Sequence, residues 1–452
     1  MAIPSRHLVR TLKRQMTNNK TATVIGGGLA GVEAAKQLSK KGIKVTLYEM
    51  KPQKYSPAHK SSNFAELVCS NSLKAERLGS AAGLLKEEMR IFGSVCLEAA
   101  DVAKVPAGGA LAVDRDVFSA EITKAIESDE NITVVRQEVT SIPEDDVVII
   151  AAGPLMSDAL AEKVGELCGK GFLSFYDAAA PIVTADSIDM DNAFTQSRYD
   201  RGGADDYINC PMDKAQYEAF YEELVNAESA QLHSFDKKKD VYEGCMPIEV
   251  LASRGKDAMR YGPLKPVGLT NPKTGHRPWA NLQLRKENKD GTMYNLVGFQ
   301  TNLKFPEQKR VFSMFPALKN AEFVRYGVMH RNTFLNSPGL LSYDFSLKKM
   351  PHIYFAGQIS GVEGYMESAS SGILAGYNAA RRLEGKEPIL LSKITMMGAL
   401  SQYISDESVK NFQPMGAAFG IIEPLEEKIR DKKERYEALA NRSIEYFKTL
   451  EM

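Results

Sequence analysis

The residues with the clearest chemical spacing are Gly26, Gly28 and Gly31, in the turn Gly26-Gly27-Gly28-Leu29-Ala30-Gly31, followed farther along by Glu49. A G-x-G-x-x-G turn of this kind is built to hold a dinucleotide. Gly26 permits the tight turn, Gly28 lets the backbone approach a pyrophosphate, and Gly31 lets a helix pack closely on the preceding strand; Glu49 is placed to accept ribose hydroxyls. The helix N-terminus offers the phosphates N–H groups and the positive end of its dipole. The five cysteines, Cys69, Cys96, Cys168, Cys210 and Cys245, show no C-x-x-C spacing. Their scatter and odd number argue against a disulfide framework or a zinc knuckle, and fit a reducing, cytoplasmic setting. Cys69 lies in a small, polar stretch unlike a core segment. Cys245, between Gly244 and Pro247, reads as part of a tight, partly exposed turn, where a reactive thiolate has access.

A β-branched strand must lead into the glycine turn. An Ala-rich amphipathic helix then runs from Leu29 to Lys40, and Lys44 to Glu49 form a second strand. Further strands are expected at about Ile132 to Arg136 and Asp146 to Ala151, the latter closing on Gly153. An apolar strand ending in glycine is what a doubly wound sheet presents at its carboxyl edge, where cofactors sit. The same pattern returns at Ile353-Tyr-Phe-Ala-Gly357-Gln358, ahead of a small-residue helix from Gly372, which suits a flavin enzyme whose FAD site is completed by a second chain segment. Asp114 is available to cap the helix that follows it.

The fold class expected is therefore α/β: a discontinuous Rossmann-type FAD-binding domain, residues 21–185 and 345–452, with an inserted α+β domain over 186–344. Trp279 to Leu284 and Tyr294 to Phe299 have strand character within the insert. Residues 1–20 carry Arg6, Arg10, Lys13, Arg14 and Lys20 with no acid. They read as a basic arm, as a start codon set too early, or as a targeting segment lacking an apolar core. Residues 423–449 read as a charged helix with a solvated face. The 452 residues suffice for two or three domains, and 57 basic side chains balance 57 acidic ones, so charge alone names no partner. No run approaches the roughly 18–20 apolar residues of a membrane span.

Six segments in order carry a resemblance over nearly the whole chain: Gly26–Gly31, Asn63–Leu73, Val105–Asp116, Tyr242–Glu249, Glu322–Thr333 and Phe355–Tyr365. In them the chain resembles the TrmFO family of folate- and FAD-dependent tRNA (uracil-5-)-methyltransferases. The resemblance implies formation of 5-methyluridine in the T loop of tRNA from 5,10-methylenetetrahydrofolate, with FAD and NADPH or NADH supplying electrons and no obligatory protein partner. The related MnmG (GidA) family shares the FAD core and an Ala-Gly-Gln-Ile segment, but carries a long C-terminal extension and partner-dependent wobble-uridine chemistry. Some TrmFO-like proteins act on ribosomal RNA, and no residue settles that choice.

The family pattern makes Cys245 the nucleophile that adds to uracil C6 and Cys69 the group that removes, or helps remove, the C5 proton. Neighbours such as Lys74 would have to support the Cys69 thiolate. Cys96, Cys168 and Cys210 are read as structural. Glu49 takes the FAD ribose, and Gly153, Gly357 and Gln358 are assigned to the cofactor from their places at strand ends. A T-loop uridine is covered by tertiary pairing and must be turned out into a pocket. Lys237 to Lys239, Arg254, Lys256, Arg260 and Arg331 are the RNA-phosphate candidates.

Overall fold

A computed structural model describes residues 20–169, 172–178, 180–203, 205–230, 246–327, 329–409 and 412–450. The glycine turn joins strand β1, Thr21–Ile25, to helix α1, Leu29–Lys40, which leads into β2, Lys44–Tyr48. β1 pairs in parallel with β2 on one side and with β4, Val147–Ile150, on the other; β3, Ile132–Val135, extends the sheet beyond β2. Every residue of β4 is buried, as expected of a central parallel strand covered on both faces. Asp114 does cap the helix Arg115–Glu127, accepting the amide hydrogens of Asp116 and Val117.

A second sheet holds six strands, all antiparallel, between Ile182 and Arg325. Its long strand β5, Ala280–Lys286, is buried along almost its whole length. Helix α2, Phe305–Phe312, follows, and β6, Phe323–Arg325, forms one edge of the sheet. The aromatic core of this sheet (Phe220, Phe299, Phe312 and Phe315) is separate from the core under the parallel sheet.

The chain then returns to the first sheet. β7, Met350–Phe355, pairs in parallel with β4, and the sheet order becomes Ser346–Leu347, β7, β4, β1, β2, β3. Helix α3, Tyr365–Leu383, packs on α1. It begins seven residues before the expected Gly372, because Gly364 at φ 119° ends the preceding loop and the small residues after Tyr365 continue the helix. A Cβ on Gly372 would lie 2.1 Å from the Ala30 carbonyl oxygen, and one on Gly376 2.6 Å from that of Ala34. Only glycine allows the two helices to approach this closely.

The terminal helix is shorter than expected, Lys432–Lys448 in place of 423–449. Asp431 fixes its start, the side chain accepting the Glu434 amide hydrogen. Its Leu439, Ala440, Ser443 and Phe447 are buried, so only part of the helix is solvated. Among the described residues no helix is long and apolar enough to cross a membrane.

Candidate functional site

The glycine turn between β1 and α1 is fixed by close approach on three sides. Gly26 has φ 104°, and a Cβ there would meet the Ala151 carbonyl oxygen at 2.6 Å; a Cβ on Gly31 would meet the Gly26 carbonyl oxygen at 1.8 Å. Gly27, the residue the motif leaves open, is as constrained, with Phe64 at 2.4 Å from the same virtual atom. Gly28 is different. Nothing lies within 4 Å of its virtual Cβ, and no side chain caps α1 there, so the first amides of the helix are left for a ligand.

Glu49 is buried at the end of β2, where one carboxylate oxygen accepts the Gly27 amide at 2.9 Å and the other the Lys51 amide at 2.9 Å. These bonds hold the acid against the turn and leave lone pairs on both oxygens for ribose hydroxyls. Lys51 Nζ donates to the Asn63 carbonyl at 2.7 Å, and burial lowers its pKa.

The turn opens on a cavity of about 390 Å³. Gly26 to Ala30 and Glu49 form one wall; Gly153, Gly357 and Gln358 line it as well. The Gly357 amide donates to Ser371 Oγ at 2.7 Å, and Gln358 Nε2 to Glu363 Oε2 at 2.6 Å. Cys69, Lys74, Gln300, Asn332 and Tyr365 also line this cavity. Thus a cysteine lies on the same space as the dinucleotide turn. Among the described residues no group of three His, Cys, Asp or Glu side chains could hold a metal.

The Cys69 loop is held by side chains from distant segments. Tyr365, the first residue of α3, accepts the Cys69 amide at 2.7 Å and the Ser70 amide at 3.2 Å. Arg115 donates to the Leu67 carbonyl at 2.8 Å and the Cys69 carbonyl at 3.4 Å, while Arg325 on β6 donates to the Val68 carbonyl between them. Arg285 on β5 reaches Ser70 Oγ at 3.1 Å and Asn71 Oδ1 at 2.8 Å. Glu287 pairs with Arg115 in this buried cluster. Burial raises the Glu287 pKa, opposed by Arg115, Arg285 and Arg325, and burial likewise pushes the Tyr365 phenol up, with the Cys69 charge adding to it. Lys74, which lines the same cavity as Cys69, pairs its ammonium with Glu367 at 2.7 Å.

Cys96 and Cys210 are fully buried, and burial drives both thiols well above their usual range; Cys168, half-buried, is pushed up to about 11. None of the three lines the cavity. Cys245 and Lys237 to Lys239 lie outside the described residues. Two residues beyond Met246, the Ile248 amide donates at 2.7 Å to the carbonyl of Gln300, a cavity residue. Arg331 is in the strand Met329–Leu335, paired opposite Tyr176. Arg254 is exposed, Lys256 pairs with Glu218 at 3.2 Å, and Arg260 binds Asp257 at 2.7 Å while stacking on Trp279 at 3.9 Å.

Sequence reasoning missed Arg115, Arg285, Arg325, Glu287 and Tyr365. Three of them, Arg115, Arg325 and Tyr365, stand inside the quoted motifs and could have been read from them. Arg285 and Glu287 stand in none, and only the folded register of β5 brings them to the loop.

The parallel sheet, glycine turn and carboxyl-edge cavity define a Rossmann-type dinucleotide-binding protein. Residues 21–387 match the family model described as "GIDA: Glucose inhibited division protein A". Two crystal forms of GidA from Aquifex aeolicus superpose with TM-scores of 0.62 and 0.63 at 18% identity; the first covers 84% of this chain and 67% of that one. At that identity the likeness is one of fold. Sequence relatives are nearer: a protein of Acetivibrio thermocellus is 59% identical, covering 94% of this chain and 97% of its own, and one of Lactobacillus acidophilus is 56% identical, covering 95% and 99%. Both are named methylenetetrahydrofolate--tRNA-(uracil-5-)-methyltransferase TrmFO. This chain belongs to the TrmFO family.

Proposed function

We propose that the protein methylates C5 of a T-loop uridine in tRNA, taking the carbon from 5,10-methylenetetrahydrofolate and its reducing electrons through FAD from NADPH or NADH. The observation that carries this reading is that Cys69 and the dinucleotide turn line one cavity. It is supported by identity above half with TrmFO relatives over nearly their full length.

The residues fit FAD. The open face of Gly28 and the uncapped start of α1 would take the pyrophosphate, Glu49 the ribose, and Gly153, Gly357 and Gln358 the opposite wall. When bound, FAD supplies the two electrons that separate a methylene from a methyl group.

The chain's own part is nucleophilic and acid–base. Cys245 Sγ, as thiolate, adds to uracil C6 and moves an electron pair toward C5, which then bonds the donor carbon. Cys69, or a base it supports, removes the C5 proton. The electron pair left behind releases the donor carbon from its carrier nitrogen as an exocyclic methylene, and a hydride added at that carbon would give the methyl group, restoring the ring double bond with loss of the Cys245 thiolate. Tyr365, Arg115 and Arg325 keep the Cys69 backbone in place through these steps.

The test is incubation of the purified protein with carbon-labelled 5,10-methylenetetrahydrofolate, NADPH and an unmodified tRNA transcript, with label mapped by nuclease digestion and mass spectrometry. Labelled 5-methyluridine in the T loop, without added protein, is the expected result. Label only in a ribosomal RNA fragment would move the substrate, and no label in either RNA with reducible FAD bound would sink the methyltransferase reading.

A further inference from the structure

On the edge of the second sheet three aromatic rings form a continuous parallel stack. Phe305 at the start of α2 lies on Tyr326 with centroids 4.8 Å apart and planes at 14°, and Tyr326 lies on Phe323 of β6 at 5.3 Å and 8°. Interior pairs take both arrangements that aromatic quadrupoles favour, Phe220–Phe299 stacked at 25° and Phe92–Tyr377 and Phe92–Phe447 edge-to-face at 81° and 87°. A parallel ladder leaves a flat π-face at its end. Phe305, the end ring, is 51% exposed.

The stack is rigidly mounted. Buried Gln308, one turn along α2, exchanges hydrogen bonds with Gly327: its Nε2 donates to the Gly327 carbonyl at 2.8 Å and its Oε1 accepts the Gly327 amide at 2.8 Å. This ties α2 to the residue after Tyr326 and fixes Phe305 against it. The stack also stands beside the Cys69 loop. Phe323 and Arg325 face consecutive residues Val183 and Ile182 of the neighbouring strand, a bulge, and Arg325 holds the Val68 carbonyl. Exposed Lys309 lies four residues after Phe305, on the same side of α2.

We propose that the outer face of Phe305 receives an unpaired nucleobase of the RNA substrate, extending the stack by one plane while Lys309 meets an adjoining phosphate. This rests on the RNA-methylation reading above. Every base has a π-face, so the contact holds the loop near Cys69 without reading its sequence. A base flanking a uridine that has been turned out has lost a stacking neighbour, and this ring offers one in its place.

The test is binding of an unmodified T-arm RNA hairpin to the FAD-loaded protein, followed by anisotropy over a range of salt concentrations. Phe305→Ala is expected to weaken binding on the order of tenfold with an unchanged salt slope, because a stacking loss releases no counterions. Phe305→Tyr restores affinity, and Phe305→Trp gives emission quenched by the hairpin. Lys309→Ala lowers the salt slope by about one contact. Binding of Phe305→Ala within twofold of the parent, or a loss that Phe305→Tyr does not rescue, overturns the platform while leaving the RNA reading intact. Failure of the parent protein to bind the hairpin overturns both.

Discussion

The two walls of the cavity are made in opposite ways. The dinucleotide wall is backbone: a glycine turn shaped by atoms that approach within 2.6 Å of where a Cβ would be, one uncapped helix end, and one acid a strand away. The Cys69 wall is side chain: the loop from Leu67 to Asn71 is held by Arg115, Arg285, Arg325 and Tyr365, which come from four separate parts of the chain. A site of the first kind is compact in sequence and intolerant of any added atom. One of the second kind is dispersed, and each of its supports can be removed alone.

The sharpest break of this comparison is at the cysteines. Cys245→Ala or Cys69→Ala is expected to abolish methyl transfer, a loss on the order of 10²–10⁴ or more, while bound flavin absorbance persists. Methylation at the parent rate by either variant removes that residue from the chemistry. On the other wall, Gly31→Ala is expected to strip the flavin itself, since its Cβ would fall 1.8 Å from a backbone oxygen. A protein that purifies yellow with this change would show that the turn can open.

A middle-sized effect separates positioning from chemistry. Arg325→Ala frees the Val68 carbonyl and is expected to lower kcat by up to about 10²-fold, the cost of a misplacement near 1 Å, with flavin content unchanged. An equal fall in flavin content would mean that the two walls are not independent. Arg115→Ala also strands Glu287, whose side chain is 5% exposed, and should cost roughly 3 kcal/mol of stability in denaturant melts, the low end for a broken buried pair because Arg285 also faces that acid.

Much of the first wall was legible in the sequence because glycine spacing, strand period and a terminal acid are local signals. β1, α1 and β2 fall where the pattern puts them, and the turn, Glu49, Gly153, Gly357 and Gln358 meet on one cavity. The support of Cys69 was not legible. Arg285 is an ordinary residue on a strand until antiparallel pairing carries it to Asn71, more than two hundred positions away in the chain. The start of α3 falls earlier than the pattern puts it because glycine and serine carry little helical signal of their own.

The smallest expected effect lies away from both walls, at Glu88. This fully buried acid accepts the Met396 and Met397 amides and the Ser443 hydroxyl, yet burial raises its pKa to about 7. Its folded value exceeds the unfolded one of about 4.5, so the folded state holds the extra proton between them. Stability contributed by this group is full below about pH 4.5 and is lost as pH rises to about 7. Glu88→Gln should flatten that stretch of the stability profile, and an unchanged slope would assign it to other groups.

Tyr365, Gly372 and Gly376 stand at i, i+7 and i+11 of α3, a single stripe of an α-helix. The first holds the Cys69 amide and the other two rest on the backbone of α1. The helix thus works as a gauge whose graduations are whole turns. Most other residues of this helix are buried too, so a point change there disturbs one local contact, whereas one residue added between Tyr365 and Gly372 turns one contact about 100° from the others. Such an insertion should cost methyl transfer even where the helix, the flavin and every named side chain are retained. In this part of the chain, length is under constraint as well as composition.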